Sequence, residues 1–165
     1  MRDVLLFLHP TFGVLATIAA VWVFVETLNV TDANRRRIWL GSLTVAALFV
    51  LTWFFAGWYY TVYYHSGDQQ IIEHGSVPWA HAFFMETKEH LFFIPLILAL
   101  YLPFVVRLNL VANRTARNMV LVVTALIALN GLALEGAGAI INWGAKTTLA
   151  HTVQMSSNST GSNEQ

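Results

Sequence analysis

The segment His81–His90 holds the side chains of this chain that are most able to do chemistry. It reads His-Ala-Phe-Phe-Met-Glu-Thr-Lys-Glu-His and leads into an apolar stretch that ends near Val106. An ionised side chain at bilayer depth costs roughly 2.5 to 3.5 kcal/mol on insertion scales, so such groups mark ion, proton or ligand sites when they occur in a membrane segment. The segment therefore predicts a site, whose chemistry depends on what other helices bring to the same level.

Helical geometry divides the charged residues of this segment into two sides. Successive residues of an α-helix lie about 100° apart around its axis, so Glu86 and His90 are about 40° apart, with Glu89 about 60° from Glu86 on the other side. We predict that these three side chains face the interior of the protein. The alternative is a solvated first helical turn at the water interface, in which Glu86, Lys88, Glu89 and His90 have a capping role. His81 and Lys88 fall on the opposite side of the helix, and Lys88 is predicted to point towards lipid headgroups or a neighbouring carboxylate.

The composition places the chain among integral membrane proteins. Hydrophobic residues make up 56% of the 165 residues, charged residues make up 11%, and the mean hydropathy is +0.58. A helix needs about 20 apolar residues to cross about 30 Å of hydrocarbon. The predicted fold is an all-α, four-helix integral membrane bundle over residues 1–151, followed by a disordered polar tail at 152–165. The four predicted spans are at about residues 4–30, 38–64, 79–106 and 119–141.

Arginines set the predicted orientation of the bundle. Three of them, Arg35–Arg37, lie between the first two spans, and Arg107, Arg114 and Arg117 lie between the last two, whereas residues 65–80 contain no Lys or Arg. Lys and Arg accumulate in cytoplasmic loops. We therefore predict a multi-pass protein of the cytoplasmic membrane with both termini on the outer side, and a first span that is retained instead of being cleaved as a signal peptide.

Counting residues from the arginines ranks the polar side chains by depth. At 1.5 Å per residue, Glu135 lies ~27 Å beyond Arg117, and His90 lies ~26 Å beyond Arg107, so both reach the outer edge of the hydrocarbon. His9, near the start of the first span, falls at the same level. We therefore predict one layer of functional side chains at the outer mouth of the bundle, to which the second span adds aromatic residues.

One chemistry that suits this layer is haem binding. A haem b needs one or two axial nitrogens in a dry slot between helices, and His9 and His90 would supply both. Gly13 lies one turn after His9 and leaves room for a flat macrocycle against the backbone. Tyr59 is the residue of the second span that is predicted to lie beside the cofactor.

The other chemistry is a non-haem metal site. An Fe, Mn, Zn or Cu ion needs three or more imidazole and carboxylate ligands, and His9, Glu86, His90 and Glu135 would provide them. The acids Glu86, Glu89 and Glu135 suit proton handling equally well. The chain has no cysteine, which excludes disulfides, thiolate metal sites and Fe–S clusters.

The four-span plan, the arrangement His9-Pro10-x-x-Gly13 and the matching depth of His90 resemble small bacterial four-helix membrane cytochromes of the b type. That resemblance implies a haem b held by histidines near the helix ends. This chain departs from the pattern because the inner half of its bundle contains no histidine, so the resemblance implies at most one haem, near the outer face. It does not explain the charged run from Met85 to His90.

Three functions are compatible with the sequence. The first is a redox-cofactor subunit that passes electrons between a periplasmic electron carrier and a quinone or partner subunit, which is an accessory role and not that of a stand-alone enzyme. The second is a non-haem metal-ion binding or transport site. The third is a non-catalytic anchor or scaffold in a membrane complex. The net charge of +0 gives no basic field for nucleic acid, so the lipid bilayer is the one surrounding common to all three.

Overall fold

The structure is a computed structural model that describes residues 1–74 and 78–162, except for the side chains at positions 65, 66, 68, 80, 81 and 151–162. Every regular element in this part of the chain is helical, which confirms the all-α prediction. In chain order the elements are α1 (Arg2–Leu28), α2 (Arg35–Tyr59), the π-helical segment π1 (Tyr60–Asp68), α3 (Gln69–Glu73), the π-helical segment π2 (Ala80–Met85), α4 (Glu86–Leu91), α5 (Phe93–Val106) and α6 (Arg114–Ser162).

Within the described residues, four helical stretches are long and apolar enough to cross a membrane, the same number as the predicted spans. α1 packs on α2, α2 packs on α5, and α6 packs on both α5 and α1. Consecutive spans are therefore adjacent, as in an up-and-down four-helix bundle. The four stretches are Arg2–Leu28, Arg35–Tyr64, Ala82–Val106 and Arg114–Ala150.

The two ends of the bundle differ in charge. One end carries Arg35–Arg37 and Arg107, and we call it the arginine end. The other carries Glu86, Glu89 and Glu135, and we call it the acidic end. Because the bundle has four spans, the N-terminus and the outgoing half of α6 both lie at the acidic end.

Apolar side chains fill the interior of the bundle and also cover its outside. The core passes through Ala16, Val45 and Ile127, which are fully buried. Ile97 and Phe104 are typical of the outer surface, where they are 63% and 68% exposed. A helix at the surface of a water-soluble protein has a polar face, whereas helices that are apolar all round are expected in lipid.

Buried hydroxyls between the helices bond within their own helix. Thr17, Thr27, Thr52 and Thr124 each donate a hydrogen bond to the backbone carbonyl four residues earlier, at 2.7–3.0 Å. This bond satisfies the hydroxyl donor without a partner on another helix. Burial of these threonines in the apolar core therefore costs little free energy.

The turn between α1 and α2 is closed by one buried side chain, Asn34. Its Nδ2 donates to the Glu26 carboxylate at 2.9 Å and to the Glu26 backbone carbonyl at 3.0 Å, and its Oδ1 accepts from the Thr31 amide at 2.7 Å. The Glu26 carboxylate also pairs with Arg37 at 3.2 Å. Asn34 therefore links the C-terminal end of α1 to the N-terminal end of α2.

Asn34→Ala is expected to lower the free energy of unfolding by about 2 kcal/mol, because it leaves buried partners of several hydrogen bonds unsatisfied. Asn29→Ala is the matched control, since Asn29 is an exposed residue of the same turn that offers its backbone carbonyl to Asn34. Reversible unfolding in mixed micelles measures both variants. Equal losses in the two would contradict the role assigned to Asn34.

The third span is interrupted at Phe92, between α4 and α5. Pro95 lies three residues later and has no amide to donate to the carbonyl of Leu91. The sequence predicts bends at Pro95 and Pro103; the interruption occurs beside Pro95, whereas Pro103 lies inside α5. This break separates α4, which carries the charged residues, from the apolar α5.

The second span continues further than predicted. The sequence suggests a loop beginning near residue 65, but helical structure runs through π1 and α3 to Glu73. The side chain of Ile72 is 0% exposed, and α3 packs on α6 and π2. Burial of this apolar residue is the physical reason that the segment continues as a helix.

α6 is much longer than the predicted fourth span. Its 49 residues extend about 73 Å at 1.5 Å per residue, which exceeds the thickness of a bilayer. The segment beyond Ile141 contacts Trp79 through Trp143, with the two ring centroids 6.3 Å apart. The helix continues to Ser162, but the side chains of residues 151–162 and all of residues 163–165 lie outside the described part, so the disordered tail stays a prediction.

Candidate functional site

Two half-buried side chains of opposite charge, Lys88 and Glu135, lie at the acidic end of the bundle. Lys88, on α4, is close enough to Glu135, on α6, for their charges to interact. The Nζ atom of Lys88 lies against Gly138, where an added Cβ would be 2.9 Å from it. Gly138 is one turn after Glu135, so the small residue makes room on α6 for the partner of its carboxylate.

The Glu135 carboxylate fills the groove between α6 and α1. An added Cβ at Gly13 would collide with Oε1 of Glu135, so the absence of a side chain at Gly13 admits the carboxylate. Thr52, on α2, closes the same space with its Cγ2 at 3.7 Å from that position. Residues of α1, α2 and α6 therefore surround the carboxyl group, and Lys88 adds a residue of α4, which belongs to the remaining span.

His9 is the third ionisable group of this site. It lies one turn before Gly13 on α1, is half-buried, and interacts electrostatically with Lys88. Its Nδ1 is 3.3 Å from the backbone carbonyl of Leu5, and its ring stacks on Tyr59 at a centroid distance of 6.2 Å and an angle of 20°. We call the group of His9, Lys88 and Glu135 the charged triad.

A second polar group lies at the acidic end of the bundle. The Tyr60 hydroxyl donates a hydrogen bond to the Glu89 carboxylate, and Glu86 is near enough to act on Tyr60 electrostatically. Glu86 is exposed, whereas Glu89 and Tyr60 are half-buried.

Two of the predicted interior residues face outward, and Lys88 faces inward. Glu86 and His90 are both exposed, and Nδ1 of His90 lies 2.7 Å from the backbone carbonyl of Glu86. The prediction that Lys88 points away from the bundle was therefore wrong. The predicted angles between these residues around the helix agree with the structure. The rotation of α4 differs from the prediction, because the face that carries Lys88 packs on α6, where Glu135 supplies the opposite charge. The side chain of His81 lies outside the described residues.

Lys88 is the site residue that sequence reasoning missed. The available signal was the spacing on α6, because Gly138 follows Glu135 by three residues and leaves space for a long side chain beside the carboxylate. A lysine in a membrane segment also requires a counter-charge, and few carboxylates lie at its level. His74, which is exposed at the end of α3, takes no part in the triad.

A haem b clamped by His9 and His90 does not fit the residues present. His9 and Tyr59 lie together as predicted, but the space beside Gly13 that would receive the macrocycle is filled by Glu135. The second predicted axial ligand, His90, is exposed on the far side of α4. The haem interpretation stays a prediction that this arrangement does not favour.

We expect the purified protein to show no spectrum of a bis-histidine haem, because His9 and His90 face different surroundings. Absorbance spectra of the wild type and of His90→Ala, with and without added haem, measure this. His74→Ala is the matched control for removal of an exposed histidine. A Soret band that is lost in both His9→Ala and His90→Ala would contradict the expectation.

The predicted metal ligands are not brought together either. Among the side chains that the structure describes, which exclude those of His65, Asp68 and His81, no three His, Asp or Glu lie close enough to hold one ion. His9 and Glu135 share the triad, whereas Glu86 and His90 are on the outer side of α4. Lys88 takes the position beside Glu135 that a cation would need, and an ammonium group there competes with a metal ion for the carboxylate.

No protein-family model matches this chain, and no curated protein or solved structure does.

Proposed function

We propose that this protein is a membrane subunit that takes up and releases protons at the charged triad. The observation that carries the proposal is that three ionisable groups from three different spans interact at one end of the bundle. Glu135 fills the groove beside Gly13, Lys88 interacts with Glu135, and His9 interacts with Lys88. Ionisable groups at membrane depth that pair with one another are typical of proton relays. Each of the three groups exists in two protonation states, and each is close enough to a neighbour for one protonation to affect the next.

Protons reach the triad from the acidic end in this proposal. Glu86 is exposed, Glu89 is bonded to Tyr60, and the neighbouring Tyr59 stacks on His9. In this proposal a proton taken from water by Glu86 next meets Glu89 and Tyr60. Nδ1 of His9 faces the Leu5 carbonyl, so Nε2 is the ring nitrogen that exchanges a proton within the triad.

The triad serves a reaction at one face of the membrane and does not conduct protons across it. Beyond the triad, the interior is lined by apolar residues such as Ala16, Val45 and Ile127. The hydroxyls of Thr17 and Thr124 in that region are bonded to their own backbone. A proton that enters at the acidic end therefore leaves at the same end.

The role that fits a one-sided proton site is in electron transport. A quinol that is oxidised loses protons together with its electrons, and nearby bases receive those protons. We propose that a quinone or a partner redox subunit meets this protein at the acidic end. By the positive-inside rule the arginine end faces the cytoplasm, which places the triad at the outer face of the cytoplasmic membrane with both termini outside.

Infrared difference spectra test the proton site. In a pH titration of the protein in nanodiscs, the wild type is expected to show a carboxylic-acid C=O band that shifts in deuterated water and is absent in Glu135→Gln. Asp3→Asn is the matched control, because Asp3 is an exposed carboxylate at the same end that lies outside both the triad and the proposed path. A band that persists in Glu135→Gln would show that this carboxylate is not the proton acceptor.

The link to electron transport has its own measurement. In cells that carry only the variant protein, proton release after a pulse of terminal electron acceptor is expected to fall several-fold for Glu135→Gln, within the range of general acid–base effects. It is expected to stay at the wild-type value for Asp3→Asn, because Asp3 is an exposed carboxylate at the same end that lies outside the proposed path. Equal proton release in wild type and Glu135→Gln would contradict the electron-transport role, even if the infrared band is lost.

A further inference from the structure

A second polar site lies at the opposite end of the bundle, far from the charged triad. Three arginines and a tryptophan surround a cavity of about 390 Å³ between the start of α2 and the end of α5. Its lining residues are Arg35, Arg36, Trp39, Val106 and Arg107. The cavity is thus basic on one side and apolar on the other.

Two of these arginines have no carboxylate partner in the part of the chain that the structure describes. Arg35 is 3.5 Å from the Asp32 carboxylate, and Arg37, outside the cavity, pairs with Glu26. Among the described residues, no ion pair involves Arg36 or Arg107. Two unpaired guanidinium groups that line one cavity leave a local excess of positive charge, which attracts an anion.

The third basic element of the cavity is the backbone of α2. The first turn of this helix begins at Arg35, and no side chain caps its amides. Amides at a helix N-terminus point outward with partial positive charge and bind phosphate oxygens. The guanidinium of Arg107 lies over the Trp39 ring, 5.9 Å from its centroid, which holds the guanidinium at the cavity.

We propose that this cavity binds a phosphate-bearing anion, with the guanidinium groups of Arg36 and Arg107 on its oxygens. Guanidinium groups match the geometry of phosphate and form paired hydrogen bonds with it. The phosphate can come from an anionic phospholipid or from free phosphate. The cavity favours the lipid, because its apolar wall of Trp39 and Val106 adjoins exposed apolar side chains of α2 such as Leu40 and Leu43.

Binding measurements with two probes separate the sources. Native mass spectrometry of the detergent-solubilised protein compares phosphatidylglycerol with phosphatidylcholine of the same acyl chains, and calorimetry at constant ionic strength follows inorganic phosphate. The wild type is expected to prefer phosphatidylglycerol. Arg36→Gln and Arg107→Gln are each expected to weaken that binding about tenfold, the loss of one charge-assisted hydrogen bond.

Matched variants distinguish a built site from general attraction. Arg114→Gln removes one positive charge from the same end of the bundle at an exposed position outside the cavity, so its affinity is expected to equal that of the wild type. Arg107→Lys keeps the charge but loses the planar fork, so it recovers only part of the binding. Binding of inorganic phosphate that depends on Arg36 and Arg107 supports the site with the free anion as its ligand. Equal losses in Arg114→Gln and Arg107→Gln, or no loss in either, would overturn it.

Discussion

Lys88→Met is expected to lower the free energy of unfolding by about 1–3 kcal/mol, because it leaves the half-buried Glu135 carboxylate without its counter-charge. The carboxylate lies between α1 and α6, against Gly13, and is half-buried there. Removal of one of two opposite charges that are partly withdrawn from water costs more than their interaction contributes, since the remaining charge loses its compensation. Reversible unfolding in mixed micelles measures the loss.

Two further variants make this expectation specific to the pair. Lys146→Met removes an exposed lysine from α6 at the same end of the protein and is expected to change stability by less than about 0.5 kcal/mol. The double variant Lys88→Met with Glu135→Leu removes both charges, and its stability is expected to return close to that of the wild type. A double variant as unstable as the sum of its two single changes would contradict a direct Lys88–Glu135 interaction.

Gly131→Val is the second substitution with a large expected effect, a loss of about 1–3 kcal/mol through overpacking between α1 and α6. An added Cβ at Gly131 would collide with Oγ1 of Thr17, which lies in the buried core and donates to the carbonyl of Gly13 at 3.0 Å. To relieve the collision, Thr17 must rotate and lose that bond, or the two helices must separate.

This substitution also affects the charged triad. Along the antiparallel α1–α6 interface, the contact between Thr17 and Gly131 is followed one turn later by the contact between Gly13 and Glu135. Separation of the helices at the first contact therefore opens the second. Water that enters beside Glu135 is expected to shift its infrared C=O band to lower frequency in Gly131→Val.

Gly136→Val is the matched control for Gly131→Val. It replaces a glycine of the same helix by the same β-branched residue, so both variants share the change in helix propensity. No atom lies within 4 Å of an added Cβ at Gly136, so only helix propensity changes there. If the two variants lose equal stability, close packing at Gly131 does not hold α1 against α6.

Hydropathy alone determined the number of spans, because the length of an apolar run is set by the thickness of hydrocarbon that it must cross. The ends of the spans were harder to predict. α3 continues the second span because Ile72 is buried against other elements, and the local sequence, with Gly67 and Asp68 before it, favours a loop. Packing between elements distant in sequence decided this boundary.

The level of the site was also predictable. Helical rise is constant, so a count of residues from the arginines brings His9 and Glu135 to one level, and the structure places both in the triad. Helical rotation is equally constant, which is why Glu86 and His90 were correctly expected on one side of their helix and Lys88 on the other.

Only the tertiary structure decided which of those sides faces inward. Periodicity fixes the angles between residues of one helix but not the rotation of that helix in the bundle, which depends on what the neighbouring helix offers. On α6, Glu135 supplies the opposite charge, and Gly138 has no side chain to displace the Lys88 ammonium group. The side chain of Lys88 therefore fits against this part of α6. By itself, the sequence determined a layer of ionisable residues at one end of a four-helix membrane bundle. The packing of α4 on α6 determined that Lys88 and Glu135 lie together in this layer, because an ammonium group that is partly withdrawn from water is stabilised by an opposite charge beside it.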